Sequence, residues 1–343
     1  MSADGGQRET PWFRRGIAGT AINWRVDMKH DTGPDPNTRN FAASRGTRFT
    51  IGSLCTGTGG LDLAVEQTSG GEMLWCAEYD KHASRIIEKR FGVPNYGDLN
   101  VVDPHTLPPV DIITAGFPCQ PVSVAGKRLG AADHRYIWPR IATVIEQIQP
   151  KAVVLENVVG LLSKGFSVVL QNLSDMGFDA EWGVVPAAAA GAPHRRDRVF
   201  VFAWPADRYV KSDPVGLPSG PQTQRSAARQ RELPLPGASG GNDPRWTDHG
   251  GGYCDRLRAW EGIVGAAPWP VTANGDGKAG IRPEFAEWLM GLPSGWVTDP
   301  ALGLTAPQQW KLLGNAVVPQ AATLAVTELA RRACIAVGIP TAA

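Results

Sequence analysis

The chain has 343 residues, of which 43% are hydrophobic and 20% are charged, so it can bury a sizeable core. This composition excludes a fully disordered chain and a collagen-like one. Its 34 Lys and Arg against 33 Asp and Glu give a net charge of +1, so any nucleic-acid contact has to come from a local patch. The 40 glycines and 28 prolines exceed the usual share and predict long ordered loops.

Five cysteines are spread along the sequence without a C-x-x-C pair. Their odd number and wide spacing disfavour a disulfide scaffold and a structural zinc site, and we expect no bound metal. The sequence also lacks an apolar run of 18 residues and the apolar core of a signal peptide. We therefore predict a soluble, cytoplasmic protein with no membrane partner.

Residues 1–48 show no sustained hydrophobic periodicity, so we expect a flexible N-terminal extension. From residue 49 onward, short apolar runs alternate with amphipathic segments. Strands are expected in FTIGSL, MLWCAEY, VDIITAGF and KAVVLENV, and helices in LDLAVEQ, KHASRIIEKRF, RYIWPRIATVIEQI and FSVVLQNLSDM. Further strands around Ala180 to Pro186 and Arg198 to Trp204 would close the far edge. Residues 49–204 therefore predict a doubly wound α/β domain, with helices on both faces of a parallel sheet.

The character of the sequence changes after residue 204. Stretches rich in glycine and proline, such as GLPSGPQTQ and LPLPGASGGNDP, interrupt the apolar runs, so residues 205–296 predict a smaller, loop-rich lobe. Helical spacing returns in RPEFAEWLMGL and in QQWKLLGNAVVPQAATLAVTELARRACIAV. We expect residues 297–343 to form C-terminal helices that return to the α/β domain.

A glycine-rich turn follows the first predicted strand. The sequence SLCTGTGG, Ser53 to Gly60, opens the first helix, and such turns admit a nucleotide-like ligand because glycine lets the backbone approach it. A tight turn without a ligand is an equally good interpretation of this motif alone. Glu78 could accept hydrogen bonds from two ribose hydroxyls, and Asp98 could accept one from an adenine amine. These carboxylates favour an adenosine pocket, and the lack of Gly-Lys-Ser/Thr excludes a Walker A phosphate loop.

Three further segments place reactive side chains at the same edge of the predicted sheet. Cys119 follows a buried strand between Pro118 and Pro121, which fix the loop that aims its thiol. A buried, inert cysteine is the alternative. Glu156 ends the next strand, where apolar surroundings would favour its protonated form. The segment HRRDRVF places arginines at alternate positions of an extended chain, so that they can point the same way.

With these motifs, the sequence from Phe49 to Pro319 resembles the cytosine-C5 DNA methyltransferases. GFPCQPVS resembles the nucleophile loop of that family, ENV its glutamate motif, HRRDRVF its arginine motif, TGTGG its cofactor turn and GNAVVP its final motif. The resemblance implies a Rossmann-like methyltransferase sheet, S-adenosylmethionine as methyl donor and double-stranded DNA as partner. We expect the chain to act as a monomer.

The resemblance also implies roles for individual residues. Cys119 would attack C6 of a cytosine that has left the duplex, and protonated Glu156 would bind N3. Arg198 would hold O2, and Arg196 would orient Glu156. The implied donor-binding residues are Leu54, Cys55, Thr56, Gly57, Thr58, Gly59, Gly60, Leu61, Glu78, Tyr79, Asp98, Leu99, Pro118, Trp138, Asn315 and Ala316. The implied DNA-binding residues are Gln120, Ser123, Arg225, Arg229, Arg231, Arg245, Arg256 and Arg258.

Four positions depart from the family pattern. Cys55 stands where an aromatic residue commonly stacks on adenine, and Trp138 replaces a leucine near the methionine moiety of the donor. His194 replaces a glutamine, and Ala316 replaces a frequent serine. These changes leave open a C5-cytosine modifier that uses a variant S-adenosyl donor.

Two other functions are also left open. Close relatives of this fold methylate cytosine in transfer RNA, but the long variable lobe and the lack of a Cys-Phe-Thr motif after ENV favour DNA. The other is an enzyme-like regulator without catalysis, and the joint presence of Cys119, Glu156, Arg196 and Arg198 argues against it. The sequence does not distinguish restriction-modification from anti-restriction or regulation.

Overall fold

The computed structural model describes residues 48–118, 137–206, 252–273 and 279–333. The strands in these ranges are β1 Thr50–Leu54, β2 Glu72–Ala77, β3 Ile112–Gly116, β4 Ala152–Val158, β5 Phe178–Val185, β6 Arg198–Pro205, β7 Val271–Ala273 and β8 Ala279–Ile281. The helices are α1 Gly60–Ser69, α2 Lys81–Arg90, α3 Trp138–Ile148, α4 Phe166–Asp175, α5 Tyr253–Val264, α6 Pro283–Leu289, α7 Ala306–Asn315 and α8 Pro319–Arg332. Every strand and helix expected between residues 49 and 204 is present.

Strands β1 to β6 form one sheet in the order β2-β1-β3-β4-β6-β5. The pairs β1–β2, β1–β3 and β3–β4 are parallel, whereas β6 runs antiparallel to both β4 and β5. The predicted α/β fold is therefore confirmed, with a mixed sheet in place of one that is parallel throughout. The difference arises because β5 and β6 are joined by a short 3-10 helix, Ala187–Ala190, and not by a crossover α-helix.

The carboxyl ends of the four parallel strands meet at one edge of the sheet. Leu54 lies opposite Ala77 and Ala115, and Gly116 lies opposite Glu156. In open α/β sheets, ligands bind outside this edge. The register therefore brings the predicted cofactor turn and the predicted catalytic glutamate to the same place.

Apolar side chains cover both faces of the sheet. On one face, Ile113 and Leu155 belong to a single core cluster with residues of α3 and α4. Successive strand residues point to opposite faces, so Ile112 and Val154 lie on the other face. There they line a small gap with residues of α1 and α8, which pack against each other. The strands are nearly all apolar because helices cover them on both sides.

The last predicted helical segment forms two helices. Helix α7 ends at Asn315 and α8 begins at Pro319, with Ala316 in an extended conformation between them. Proline has no N–H to donate, so it suits the first turn of a helix and breaks a continuing one. Because of this break, residues 316–318 can contact the edge of the sheet where the carboxyl ends of the parallel strands meet.

Helices α5 and α6 are joined through two tryptophans. Trp260 of α5 is fully buried, and its indole N–H donates to the carbonyl oxygen of Trp288 at 3.0 Å. Trp288 in turn donates to the carbonyl oxygen of Gly265 at 2.8 Å. About half of the predicted lobe, residues 207–251, and the predicted N-terminal extension up to residue 47 lie outside the described residues. The domain boundaries thus stay predictions.

Candidate active site

The glycine turn leaves β1 at Cys55 and enters α1 at Gly60. Cys55, Gly57 and Gly59 have φ of 53°, 58° and 79°, the left-handed region that glycine adopts most easily. A Cβ atom on Gly57 would meet nothing within 4 Å, so the backbone there faces open space. Open backbone between a strand and a helix is what a nucleotide-like ligand needs.

Glu78 supplies a carboxylate beside this turn. Its Oε2 accepts a hydrogen bond from the Gly57 N–H at 2.8 Å, and its Oε1 accepts one from the Asp80 N–H at 2.7 Å. Burial raises the pKa of Glu78, while these two N–H groups lower it. Each carboxylate oxygen can accept a second hydrogen bond, so the group fits ribose hydroxyls. Asp98 is half-buried and accepts from the backbone and side-chain nitrogens of Asn100 at 2.9 and 3.0 Å.

The two threonines of the turn differ in their partners. Thr56 accepts a hydrogen bond from the Ser53 hydroxyl at 2.9 Å. The buried Thr58 hydroxyl has no hydrogen-bond partner within the described residues. Among the other predicted donor-binding residues, Tyr79 and Pro118 are exposed, and Leu54, Leu61 and Leu99 are buried.

Trp138 begins α3 and lies in the core cluster. Its side chain is 3% exposed, and its ring centroid is 5.5 Å from that of Phe117. Its indole N–H donates to Asn172 Oδ1 at 2.9 Å. The polar end of the indole is thus satisfied inside the protein, which leaves only apolar ring atoms for the predicted contact with a donor.

The final motif GNAVVP lies against the glycine turn. A Cβ atom on Gly60 would be 2.3 Å from the carbonyl oxygen of Val317, so glycine alone fits without a shift. Arg196 Nη2 donates to the carbonyl oxygens of Gly314 and Ala316, both at 2.7 Å. Asn315, between these two carbonyls, is exposed. The motif therefore connects the glycine turn with the arginine motif.

Glu156 ends its strand as a buried carboxyl group, with 8% of its surface exposed. Its Oε1 is 3.0 Å from Arg198 Nε at the start of β6. Burial raises the pKa of Glu156 to about 7, although the charges of Arg198 and Arg196 lower it. Glu156 therefore keeps its proton to a higher pH than a solvent-exposed carboxyl group does, as a catalytic acid should.

The two arginines of the motif have different partners. Arg198 bonds Glu156, whereas the hydrogen bonds of Arg196 go to the final motif. The backbone explains the difference, because Arg196 has a φ of 38° and the chain is not extended there. Alternate side chains point the same way only along an extended chain. The ion pair with Glu156 is made by Arg198, while the charge of Arg196 also lowers the pKa of Glu156, so a role of Arg196 in orienting Glu156 stays a prediction.

No role was predicted for Asn157, but it supports the segment that leads to the predicted nucleophile. Its Nδ2 donates to the carbonyl oxygen of Phe117 at 2.8 Å, and both residues are buried. Its place directly after the glutamate, at the end of a buried strand, is the signal that could have identified it.

Cys119, Gln120 and Ser123 lie outside the described residues.

Two of the predicted DNA-binding arginines lie on α5. Arg258 Nη1 is 3.1 Å from Asp255 Oδ1, so a carboxylate already offsets its charge. The guanidinium of Arg256 lies over the ring of Tyr253, 5.4 Å from the centroid. The other predicted DNA-binding arginines, Arg225, Arg229, Arg231 and Arg245, lie outside the described residues.

Neither a metal-binding cluster nor a membrane-spanning helix occurs in the described ranges of the chain. Residues 48–118, 137–206, 252–273 and 279–333 contain no group of three or more His, Cys, Asp or Glu that could hold a metal ion. No helix in these ranges is long and apolar enough to cross a membrane.

The sequence of this chain is similar to those of several known proteins. The Type II methyltransferase M.NgoBI of Neisseria gonorrhoeae is 38% identical over 156 residues, 44% of this chain and 49% of that protein. M.HhaI of Haemophilus parahaemolyticus is 25% identical over 307 residues, 80% of this chain and 91% of that protein. The chain spans about half the length of the first curated relatives it matches.

The fold has a solved counterpart in a mutant DNMT2 of Spodoptera frugiperda. That structure has a TM-score of 0.54 and 16% identity, and the match covers 82% of this chain and 99% of that one. At this identity the likeness shows the fold alone. The profile of the C-5 cytosine-specific DNA methylases matches residues 49–239, more than half of the sequence. The chain therefore belongs to the C-5 cytosine-specific DNA methylase family.

Proposed function

We propose that the chain transfers a methyl group from S-adenosylmethionine to C5 of cytosine in double-stranded DNA. The observation that carries this proposal is Glu156, a buried acid with a pKa near 7, paired with Arg198 at the edge that holds the glycine turn. Shifted carboxyl groups beside a cofactor site are typical of catalytic acids. Family membership supports the reaction, and the Type II names of the relatives support a role in restriction-modification.

The donor would bind along the glycine turn. Glu78 would accept hydrogen bonds from the ribose hydroxyls, and Asp98 would accept one from the adenine amine. The turn backbone at Gly57 would approach the donor, with Asn315 and Ala316 closing the site from the other side. When bound, the donor supplies an electrophilic methyl group on a sulfonium.

Replacing Gly60 by alanine is expected to lower the free energy of unfolding by roughly 1–3 kcal/mol, because the new methyl group displaces the Val317 carbonyl. Donor affinity should fall too, since the turn and GNAVVP can no longer lie together. Thermal unfolding and calorimetric titration with S-adenosylhomocysteine measure these two effects. Gly262, exposed on α5, provides the control, because a Cβ atom there meets nothing within 4 Å. Gly262→Ala should cost no stability and leave donor affinity unchanged, and equal losses in both variants would contradict the account.

The target cytosine needs activation, because its C5 is too weak a nucleophile to take the methyl group directly. The Cys119 thiolate would form a bond to C6, while neutral Glu156 donates its proton towards N3. The electron pair then makes C5 an enamine carbon, which would take the methyl group as the S–CH3 bond breaks and its electron pair stays on sulfur as a neutral thioether. Loss of the C5 proton to a base, for which water suffices, breaks the S–C6 bond and restores the aromatic ring. Glu156 recovers its proton from N3.

Arg198 can orient Glu156 and hold the cytosine O2 at the same time. Its Nε lies 3.0 Å from the carboxylate, and its Nη1 donates to the Asp197 carbonyl at 2.9 Å. Its Nη2 has no hydrogen-bond partner among the described residues. Because guanidinium donors form a rigid planar fork, Nη2 is left to bind an oxygen of the base. One arginine would thus perform the two roles that were predicted for two, and Arg196 would fix the final motif.

We assign recognition of the DNA sequence to residues 205–296, with the target base rotated out of the duplex into the catalytic edge. Arg256→Ala is expected to weaken DNA binding, because no carboxylate pairs with Arg256 in the described part of the chain. The slope of the logarithm of the binding constant against the logarithm of the salt concentration should become less steep by about 1. The Arg258→Ala control should have a smaller effect, since Asp255 already pairs with Arg258. Fluorescence anisotropy at several salt concentrations measures the slope for each variant. A larger loss of DNA affinity in Arg258→Ala than in Arg256→Ala would contradict the assignment.

The proposed function is tested by expressing the protein in cells whose DNA lacks 5-methylcytosine. Sequencing that reports modified cytosine should then show 5-methylcytosine in a fixed DNA sequence context. Transfer RNA from the same cells, sequenced for the same modification, tests the RNA alternative. Modified transfer RNA with unmodified DNA would overturn the proposal.

A further inference from the structure

The Thr58 carbonyl, in the middle of the glycine turn, accepts a hydrogen bond from a residue far along the chain. Trp296 Nε1 donates to Thr58 O at 2.7 Å. Thr58 lies between Gly57 and Gly59, both with positive φ, and it is 3% exposed. A flexible stretch of backbone is therefore tied down at its centre by one indole N–H.

The ring of Trp296 is itself held by two residues at the end of α2. Phe91 meets it edge to face with ring centroids 5.8 Å apart, and Arg90 lies over the ring 5.4 Å from its centroid. Arg90 Nε also donates to the carbonyl oxygen of Trp296 at 3.2 Å. Phe91 reaches the turn as well, since a Cβ atom on Gly59 would lie 2.5 Å from its ring. The aromatic pair thus contacts the turn at two successive residues.

The backbone around Trp296 is fixed by Glu287 of α6, which is 2% exposed. Its Oε2 accepts from the Gly295 N–H at 2.7 Å and from the Thr298 hydroxyl at 2.9 Å. Its Oε1 accepts from the N–H groups of Val297 and Thr298 at 2.5 and 3.0 Å. Four hydrogen bonds to one buried carboxylate leave this loop little freedom. Trp296 is therefore presented to the turn in a single orientation.

We propose that Trp296 is a positioning residue for the methyl donor, which holds the glycine turn in its binding conformation through the Thr58 carbonyl. This inference rests on the proposed function, because it takes the turn as the donor site. Glycines lose more backbone freedom on ordering than other residues, so an unsupported turn would lose that conformational entropy when the donor binds. A turn already held by Trp296 loses less conformational entropy on binding, and preorganisation of this kind increases affinity.

The test is Trp296→Phe, which keeps a smaller aromatic ring beside Phe91 and Arg90 and removes the indole N–H. Binding of S-adenosylhomocysteine, measured by calorimetry, should weaken about fivefold, the value of one ordinary hydrogen bond. Amide hydrogen exchange in residues 56–60 should become faster. The donor KM should rise by a similar factor, while kcat at saturating donor stays unchanged. Unaltered affinity and exchange would overturn the proposal.

Trp75→Phe is the matched control. Trp75 is fully buried in the same sheet, and its indole N–H donates to a backbone carbonyl, that of Pro108, at 2.9 Å. This variant should lose stability and keep its affinity for S-adenosylhomocysteine. An equal loss of affinity in both variants would show general destabilisation and would also overturn the proposal. Wild-type protein that does not bind the donor product at all would instead refute the proposed function.

Discussion

Replacing Cys119 by serine is expected to abolish methyl transfer and to leave DNA binding intact. The proposed reaction needs a nucleophile that is partly ionised at neutral pH, and a thiol meets this need whereas a serine hydroxyl does not. Without addition at C6, C5 does not become nucleophilic, so the donor has no acceptor. Transfer of a radioactive methyl group to duplex DNA should fall below detection, while the Kd for the same duplex changes little.

The control for this variant is another cysteine to serine change. Cys254, half-buried on α5, is outside the proposed chemistry, so Cys254→Ser should retain turnover. A duplex with 5-fluorocytosine at the target position gives a second measurement. Fluorine cannot leave C5 as a proton does, so the S–C6 bond persists after methyl transfer. Wild type and Cys254→Ser should form an adduct that survives denaturant, and substantial turnover or an adduct in Cys119→Ser would refute the assignment.

The elements that position the site could be predicted because their signals are local. Short apolar strands end just before motif residues such as Cys55 and Glu78, and the amphipathic segments between them have helical spacing. Because β1 to β4 run parallel to one another, those strand ends lie together at one edge of the sheet. The position of Glu156 near the glycine turn follows from this topology, so it could be expected from sequence.

Contacts that depend on a single backbone angle could not be predicted. The arginine motif suggested an extended chain, but Arg196 adopts a left-handed conformation that non-glycine residues seldom take. That one residue turns its side chain to the final motif and leaves Glu156 to Arg198. No alternation of residue types in HRRDRVF signals this change.

Contacts between distant parts of the sequence were also beyond prediction. Val317 covers Gly60, and Trp296 holds Thr58, yet no periodic pattern links these pairs. They arise because the C-terminal segments return to the functional edge after the lobe. The glycine at position 60 was predicted for its approach to a ligand, whereas the structure shows that it also admits the Val317 carbonyl.

Glu156→Gln is expected to reduce kcat by about 10²- to 10⁴-fold, the usual contribution of a positioned acid. Glutamine can still accept from Arg198 and donate a hydrogen bond towards N3, but it has no proton to give up. The pH profile should change as well. With a pKa near 7, wild-type Glu156 loses its proton as the pH rises, so kcat/KM should fall above about pH 7. The variant should lack this alkaline decline.

The same substitution should make the protein more stable at neutral and alkaline pH. Burial raises the pKa of Glu156 from about 4.5 to about 7, so the folded state favours the neutral carboxyl group. Between these values the folded protein binds more protons than the unfolded one, and its free energy of unfolding falls as the pH rises. Below about pH 4.5 the carboxyl is neutral in both states, so the neutral glutamine should make little difference there. Above pH 7 the gain should be at most on the order of 3 kcal/mol.

Denaturant unfolding at pH 4.5 and pH 8 separates these expectations. The difference in free energy of unfolding between Glu156→Gln and wild type should be near zero at the lower pH and positive at the higher one. Glu146, exposed on α3, is the control, and Glu146→Gln should leave both stability and turnover unchanged. A variant that lost activity and was also less stable at pH 8 would show that the charged form stabilises the fold through Arg198. Glu156 would then be a structural partner of that arginine, and the acid at N3 would have to be another group.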